Sequence, residues 1–161
     1  MAILLHEQGV EFELAFADTG VEFPETYSTI FKVAQVLKRK LHVFTGGTFF
    51  QHFAKRGYFL PDMFRRWCTQ ELKITPLRKA LDKPDNVIFI GIRADEVRRT
   101  AQERKKQMWK CEVRYPLIER GITREETFEI CKRYDLLNPV YAWRSSVSCF
   151  CCPLQRRRDW I

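Results

Sequence analysis

The cysteine cluster near the C-terminal end constrains this chain most, because it places three thiols within four positions. These thiols are Cys149, Cys151 and Cys152, and Cys149 with Cys152 forms a C-x-x-C pair that Pro153 follows directly. A gap of two residues lets both sulfurs face one side of a tight turn, and the proline ring keeps the backbone from continuing into a regular ladder. The pair therefore predicts a shared metal centre whose other ligands come from elsewhere in the chain.

Cys68 is the best remote donor, because Cys111 and Cys131 lie in segments that predict ordinary structure. Three alternatives remain open for the cluster: an iron–sulfur centre, a structural zinc site, or free thiols. A disulfide framework is the weakest alternative. Six cysteines in 161 residues do not make a dense scaffold, and we expect a cytoplasmic protein, in which thiols stay reduced.

The overall charge predicts an anionic partner. The formal net charge is +8, which a nucleic acid, a nucleotide or a sulfate ester would complement. With 45% apolar and 14% aromatic residues, the chain can bury one substantial core. No apolar run approaches the roughly 20 residues of a membrane span, so we expect no membrane partner.

Hydrophobic periodicity predicts alternating helices and strands. The buried run at residues 86–92 is typical of a strand in a parallel sheet, whereas Pro116 indicates an edge strand over residues 113–118. Thr75 and Pro76 predict a capped helix start, and the capping box at residues 123–126 predicts another. Further helices are predicted at residues 1–8, 23–40 and 48–56, and strands at 12–18 and 41–44.

Polar residues follow two of these strands. Asp18, Thr19 and Gly20 end the first strand, and Arg93 follows the run at residues 86–92. In open α/β sheets, ligands bind at the carboxyl ends of the strands, so we expect Asp18 and Arg93 to face a common crevice. The polar stretch at residues 102–110 is predicted to be a mobile or substrate-facing connection.

Four stretches, taken in order, resemble the phosphoadenosine phosphosulfate reductase family within the ATP pyrophosphatases. The resemblance implies an adenine-nucleotide α-hydrolase fold, which is an α/β fold with an open, mostly parallel sheet flanked by helices. We expect a single domain over residues 1–161, with a nucleotide-binding core at 1–118 and a C-terminal helix and cysteine cluster at 119–161. The stretches are Asp18-Thr19-Gly20 with residues 23–26, Cys68-Thr69 with Leu72-Lys73 and Pro76-Leu77, Gly91-Ile92-Arg93 with Glu96 and Arg98-Arg99, and residues 149–153.

The resemblance also implies roles for individual residues. It is strongest to reductase-like proteins of phage and mobile elements and to the sulfur-inserting subunit of DNA phosphorothioation systems. It implies a [4Fe–4S] cluster held by Cys68, Cys149 and Cys152, with Cys151 as a fourth ligand. Asp18, Thr19 and Gly20 would contact the adenosine of ATP or a sulfonucleotide. The cations that would neutralise phosphate or sulfate oxygens are Lys73, Arg78, Arg93 and Arg98.

The sequence departs from the family at both ends. The family's Ser-Gly-Gly-x-Asp-Ser loop belongs before the first helix, and this chain begins where that loop would have ended. We therefore expect either that the true start, with the loop, lies upstream, or that this chain cannot hydrolyse ATP by itself and depends on a partner subunit or a homo-oligomer for the loop. No redox cysteine follows Cys152, which disfavours ordinary sulfate assimilation.

Two functions follow as expectations. One is sulfur transfer or sulfonucleotide reduction at an iron–sulfur site, with DNA or RNA as a sulfur acceptor. The alternative is a non-catalytic nucleic-acid-binding or accessory module with a structural metal site such as zinc.

Overall fold

A computed structural model describes residues 1–100, 109–147 and 149–159 of the chain. The chain forms two compact units that interleave in sequence. Unit 1 comprises Met1–Phe12 and Arg78–Leu137, and unit 2 comprises Glu13–Leu77 and Asn138–Ile161.

Unit 2 is built on a β-α-β element. Strand β1 (Leu14–Asp18) pairs in parallel with β2 (Leu41–Thr45), in the register Leu14 to Leu41 through Asp18 to Thr45. Helix α2 (Pro24–Val36) connects them and begins at Pro24, where the missing N–H costs no helical hydrogen bond. The parallel pairing places the carboxyl ends of β1 and β2 side by side.

Two further helical segments follow β2, and the second of them passes from unit 2 into unit 1 at Arg78. Helix α3 (Phe49–Lys55) starts at a capping box in which the side chains of Thr48 and Gln51 satisfy each other's backbone N–H groups. The second segment begins with a short turn, α4 (Trp67–Thr69), passes through a π-helical turn (Gln70–Ile74) and continues as α5 (Thr75–Leu81).

The predicted helix start at Thr75 and Pro76 is wrong. Thr75 has helical backbone angles and continues directly from the π-helical turn. A proline inside a helix leaves a carbonyl without its N–H partner, and a π-helical turn is one of the ways in which a helix absorbs such a break. Pro76 therefore lies inside a helical run that begins nine residues earlier, at Trp67.

The core of unit 2 forms around Val21, Phe49 and Leu72, which are almost completely buried. These residues come from the loop after β1, from α3 and from the π-helical turn. Gly46 permits the π-helical turn to approach the backbone that follows β2, because a Cβ atom at Gly46 would collide with the backbone of Glu71. We call Val21, Phe49 and Leu72 the apolar cluster.

Unit 1 contains α1 (Ala2–Glu7) and a second parallel pair, β3 (Val87–Phe89) with β4 (Glu112–Arg114). Both strands are shorter than predicted, and Val87 is exposed rather than buried on both faces. Pro116 does not lie in an edge strand, since it opens the helix α6 (Pro116–Glu119). The capping box of Thr123 and Glu126 is confirmed, and it starts α7 (Arg124–Arg133).

The fold is thus a mixture of helices with small parallel sheets, compatible with the predicted α/β class. The single open sheet and the single-domain organisation stay predictions. The predicted connection at residues 102–110 lies mostly outside the described residues. Within the described ranges, every helix is too short or too polar to span a bilayer.

Candidate functional site

The turn after β1 is fixed by the carboxylate of Asp18. Its Oδ1 accepts hydrogen bonds from the backbone N–H of Gly20 at 2.8 Å and from the hydroxyl of Tyr27 at 2.6 Å. Gly20 has a φ of +73°, and a Cβ atom there would press on the side chain of Thr48, so glycine is favoured. Burial and the bond to Asp18 raise the pKa of Tyr27 to about 12. The predicted Asp18, Thr19 and Gly20 therefore form a rigid turn at the end of β1.

A buried carboxylate that the sequence analysis missed lies directly after this turn. The side chain of Glu22 is only 4% exposed. Its Oε1 accepts from Thr19 Oγ1 at 3.0 Å, from Lys73 Nζ at 3.3 Å and from Cys149 Sγ at 3.5 Å. Thr19 Oγ1 also lies 3.6 Å from Cys149 Sγ. We call these four residues the Glu22 network. An acidic residue between Val21 and Phe23, in an otherwise apolar stretch, was the signal that could have identified it.

The Glu22 network sets the charges around Cys149. Burial lowers the pKa of Lys73. The nearby Glu22 carboxylate and the sulfurs of Cys149 and Cys68 raise it by more, so the net result is a raised pKa. Burial raises the pKa of Cys149 to about 11, while Lys73 acts in the opposite direction. Within the network, the ammonium of Lys73 and the hydroxyl of Thr19 favour a thiolate at Cys149, whereas the carboxylate of Glu22 disfavours it.

Thiols from two distant parts of the sequence pack against one apolar surface. Cys68, Cys149 and Cys151 all contact the apolar cluster, and burial also raises the pKa of Cys151. The backbone N–H of Cys152 donates to the carbonyl of Cys149 at 3.1 Å, which closes the tight turn of the C-x-x-C pair. Among the described residues, no three His, Cys, Asp or Glu side chains are arranged to hold a metal ion.

The segment that carries the cysteine turn is attached to unit 2 at several points. The backbone N–H of Phe150 donates to the carbonyl of Val21 at 3.0 Å. Arg144 is buried, stacks on the ring of Phe23 and donates to Gln155. These contacts place the thiols beside the turn that follows β1.

Three predicted cations, Arg78, Arg93 and Arg98, lie in unit 1. Arg93 pairs with Asp95 at 3.0 Å and with Glu96 at 3.2 Å, and Arg78 Nε lies 3.8 Å from Asp82. Arg98 is exposed. The contacts of Arg78 and Arg93 are local ion pairs, and binding of oxyanions by the three arginines stays a prediction. Lys73, the fourth predicted cation, contacts Glu22.

Comparison with known proteins identifies relatives of this chain. Uncharacterized protein MJ0973 of Methanocaldococcus jannaschii is 34% identical over 80 residues, which cover 50% of this chain and 19% of the relative. Uncharacterized protein MJ0066 of the same organism is 30% identical over 99 residues, which cover 60% of this chain and 20% of the relative. The matches therefore span about a fifth of the length of these relatives. No solved structure matches the chain.

The family model for the phosphoadenosine phosphosulfate reductase domain matches residues 1–144. That range includes the turn after β1, Glu22, Cys68 and Lys73. It ends before the C-terminal cysteine turn. The chain therefore belongs to the phosphoadenosine phosphosulfate reductase domain family.

Proposed function

We propose that this chain binds an adenine nucleotide or sulfonucleotide and reduces or transfers its sulfur at an iron–sulfur site. The observation that carries the proposal is the packing of Cys68, Cys149 and Cys151 against one apolar cluster beside the Glu22 network. Membership of the reductase family supports the nucleotide part. The thiols support the sulfur part, because thiolates are the protein ligands that iron–sulfur clusters use.

Thiols are the ligand type that a [4Fe–4S] cluster uses, and binding the cluster would require the described thiols to converge from their present arrangement. Cys68, Cys149 and Cys152 would hold it, and a cluster held by these three would relay electrons from an external reductant and keep one iron open to take up sulfur. Cys151 as a fourth ligand would close that iron. The apolar cluster would shield the sulfurs from water, and solvent access is one of the factors that set the reduction potential of such a centre. Lys73 would offset part of the negative charge of the thiolate ligands, since it already acts on Cys149 and Cys68.

The turn after β1 would receive the nucleotide. Asp18 holds this turn through Gly20 and Tyr27, so it acts through the shape of the backbone rather than as a free carboxylate. Lys73 is partly exposed but paired with Glu22, and a sulfate or phosphate group must therefore compete with Glu22 for it. Arg78, Arg93 and Arg98 of unit 1 remain proposed oxyanion-binding residues in their own right.

Anaerobic reconstitution with ferrous iron and sulfide tests the proposal. We expect a brown protein with iron and labile sulfide in near-stoichiometric amounts. Cys68→Ser should lose most of the iron, whereas the control Cys131→Ser, which changes a helical thiol of unit 1, should keep it. Iron near zero in the wild-type protein, or equal iron in the two variants, would remove the iron–sulfur part.

A second candidate is a non-catalytic, nucleic-acid-binding accessory module with a structural zinc site. The net charge of +8 favours it, and four thiolates are a common zinc ligand set. In the reconstitution experiment this candidate predicts colourless protein with stoichiometric zinc. It also predicts that a chelator lowers the free energy of unfolding.

A further inference from the structure

The segment that joins α3 to α4 exposes large apolar side chains in an unusual concentration. Within the seven residues 58–64 of unit 2, Tyr58 is 72% exposed, Met63 is 78% exposed and Phe64 is 95% exposed. Phe59 and Leu60 are also exposed. Contiguous exposed apolar surface of this kind marks an interaction site.

The exposed side chains are held outward by defined contacts. The carboxylate of Asp62 accepts the backbone N–H of Phe64 at 2.8 Å and that of Arg65 at 2.7 Å, and Arg65 Nε donates to it at 3.1 Å. Tyr58 has a φ of +63°, a backbone conformation that is costly for a bulky residue and that concentrates at functional positions. The segment thus presents its aromatic rings from an ordered backbone.

Cations flank these rings on both sides in the sequence, and two of them lie over nearby aromatic rings. The guanidinium of Arg65 lies 4.1 Å from the ring centroid of Phe59, and that of Arg56 lies 5.0 Å from the ring centroid of Trp67. Residues 55–67 contain the four cations Lys55, Arg56, Arg65 and Arg66 against the single acid Asp62. We call residues 55–67 the aromatic-basic segment.

We propose that the aromatic-basic segment binds single-stranded nucleic acid. Unpaired bases would stack on Phe64 and Tyr58, and phosphates would contact the basic side chains, which is how sequence-tolerant single-strand binding works. In a duplex the base faces are already stacked, so a single strand is the preferred form. A second copy of this chain fits the segment less well, because two such segments, each with four cations and one acid, would repel each other. The inference does not depend on what the thiols bind.

Fluorescence anisotropy with a labelled single-stranded oligonucleotide of mixed sequence, about 12 nucleotides long, tests this inference on the full chain. Phe64→Ala should weaken binding about tenfold, because one stacked base contributes about 1–3 kcal/mol. Phe64→Tyr should bind like the wild-type protein, since it keeps the ring. The matched control is Phe31→Ala, which removes a ring that is 59% exposed on α2 and should leave the affinity unchanged.

Salt dependence provides a second measurement. Arg66→Gln should reduce the slope of log K against log salt by about 0.7, as expected for the loss of one phosphate contact on a single strand. The proposal is overturned if the wild-type protein does not bind the oligonucleotide or if Phe64→Ala and Phe31→Ala bind equally well. It is also overturned if Phe64→Ala abolishes a concentration-dependent dimer in sedimentation without changing oligonucleotide affinity, because the segment would then join two copies of the chain.

Discussion

Cys149 in unit 2 and Cys111 in unit 1 are both thiols with raised pKa values, but their surroundings differ. Burial is the largest cause of the raised pKa in both cases. Around Cys149, the ammonium of Lys73 partly opposes the shift. Around Cys111, the carboxylate of Asp82 adds to the shift, and no cation in the described part of the chain opposes it. A nearby cation favours the thiolate, which is the form that binds metals and acts as a nucleophile, so this contrast separates a candidate site from an ordinary core thiol.

The largest expected effect comes from the apolar cluster that carries the thiols of unit 2. Leu72→Ala should lower the free energy of unfolding by about 3 kcal/mol. The Leu72 side chain is completely buried, so its truncation leaves a cavity in the core of unit 2. The substitution should also reduce the iron bound after reconstitution. The matched change in unit 1 is Leu117→Ala, also in a buried position.

Leu117→Ala should cost a similar free energy of unfolding but leave the iron content unchanged. Urea denaturation and an iron assay on the same preparations measure both quantities. Equal loss of iron in the two variants would show that iron binding depends on the overall stability of the chain rather than on the packing of the apolar cluster against the thiols.

A smaller effect on the free energy of unfolding is expected when a buried or an exposed carboxylate loses its charge. Glu22→Gln should cost about 2 kcal/mol, because Lys73 and Cys149 then face a neutral side chain in a mostly buried place. Its counterpart in unit 1 is the exposed pair of Arg114 and Glu119, where Glu119→Gln should cost less than about 0.5 kcal/mol. Chemical denaturation of the two variants gives the comparison, and equal costs would contradict the special role of Glu22.

The smallest effect concerns two tyrosines whose pKa values are raised for different reasons. For Tyr27 in unit 2 burial is the main cause and Asp18 the second, whereas for Tyr134 in unit 1 the hydrogen bond to Glu7 comes first. Asp18→Asn should therefore lower the pKa of Tyr27 from about 12 only in part. Glu7→Gln should remove most of the shift of Tyr134. Absorbance of the tyrosinate during an alkaline titration measures both.

The sign of the pH dependence follows from the same shifts. A tyrosine with a raised pKa stays neutral longer in the folded state than in the unfolded state. The stability contributed by Tyr27 is therefore fully present below its ordinary pKa of 10 and is lost as the pH rises towards about 12. A free energy of unfolding that rises over this window would contradict the assignment.

Local patterns in the sequence predicted the local structure well. The capping box at Thr123 and the proline at the first position of α2 both mark helix starts. Such signals are reliable because the hydrogen bonds that begin a helix form between residues a few positions apart. Pro116 and Pro76 show where this reasoning fails. A proline fits a helix start, a helix containing a π-turn and an edge strand equally well, and only neighbouring segments select among them.

The sequence by itself determined the family, the alternation of helices and strands, and the cysteine turn as a candidate site, since these depend on residue order and short spacings. Only the tertiary structure revealed Glu22 as the acceptor shared by Thr19, Lys73 and Cys149. It also revealed the Asp62 turn that holds Phe64 in solvent. The physical reason is that burial and long-range hydrogen bonds arise when distant segments pack, and no local pattern encodes which side chains will then meet.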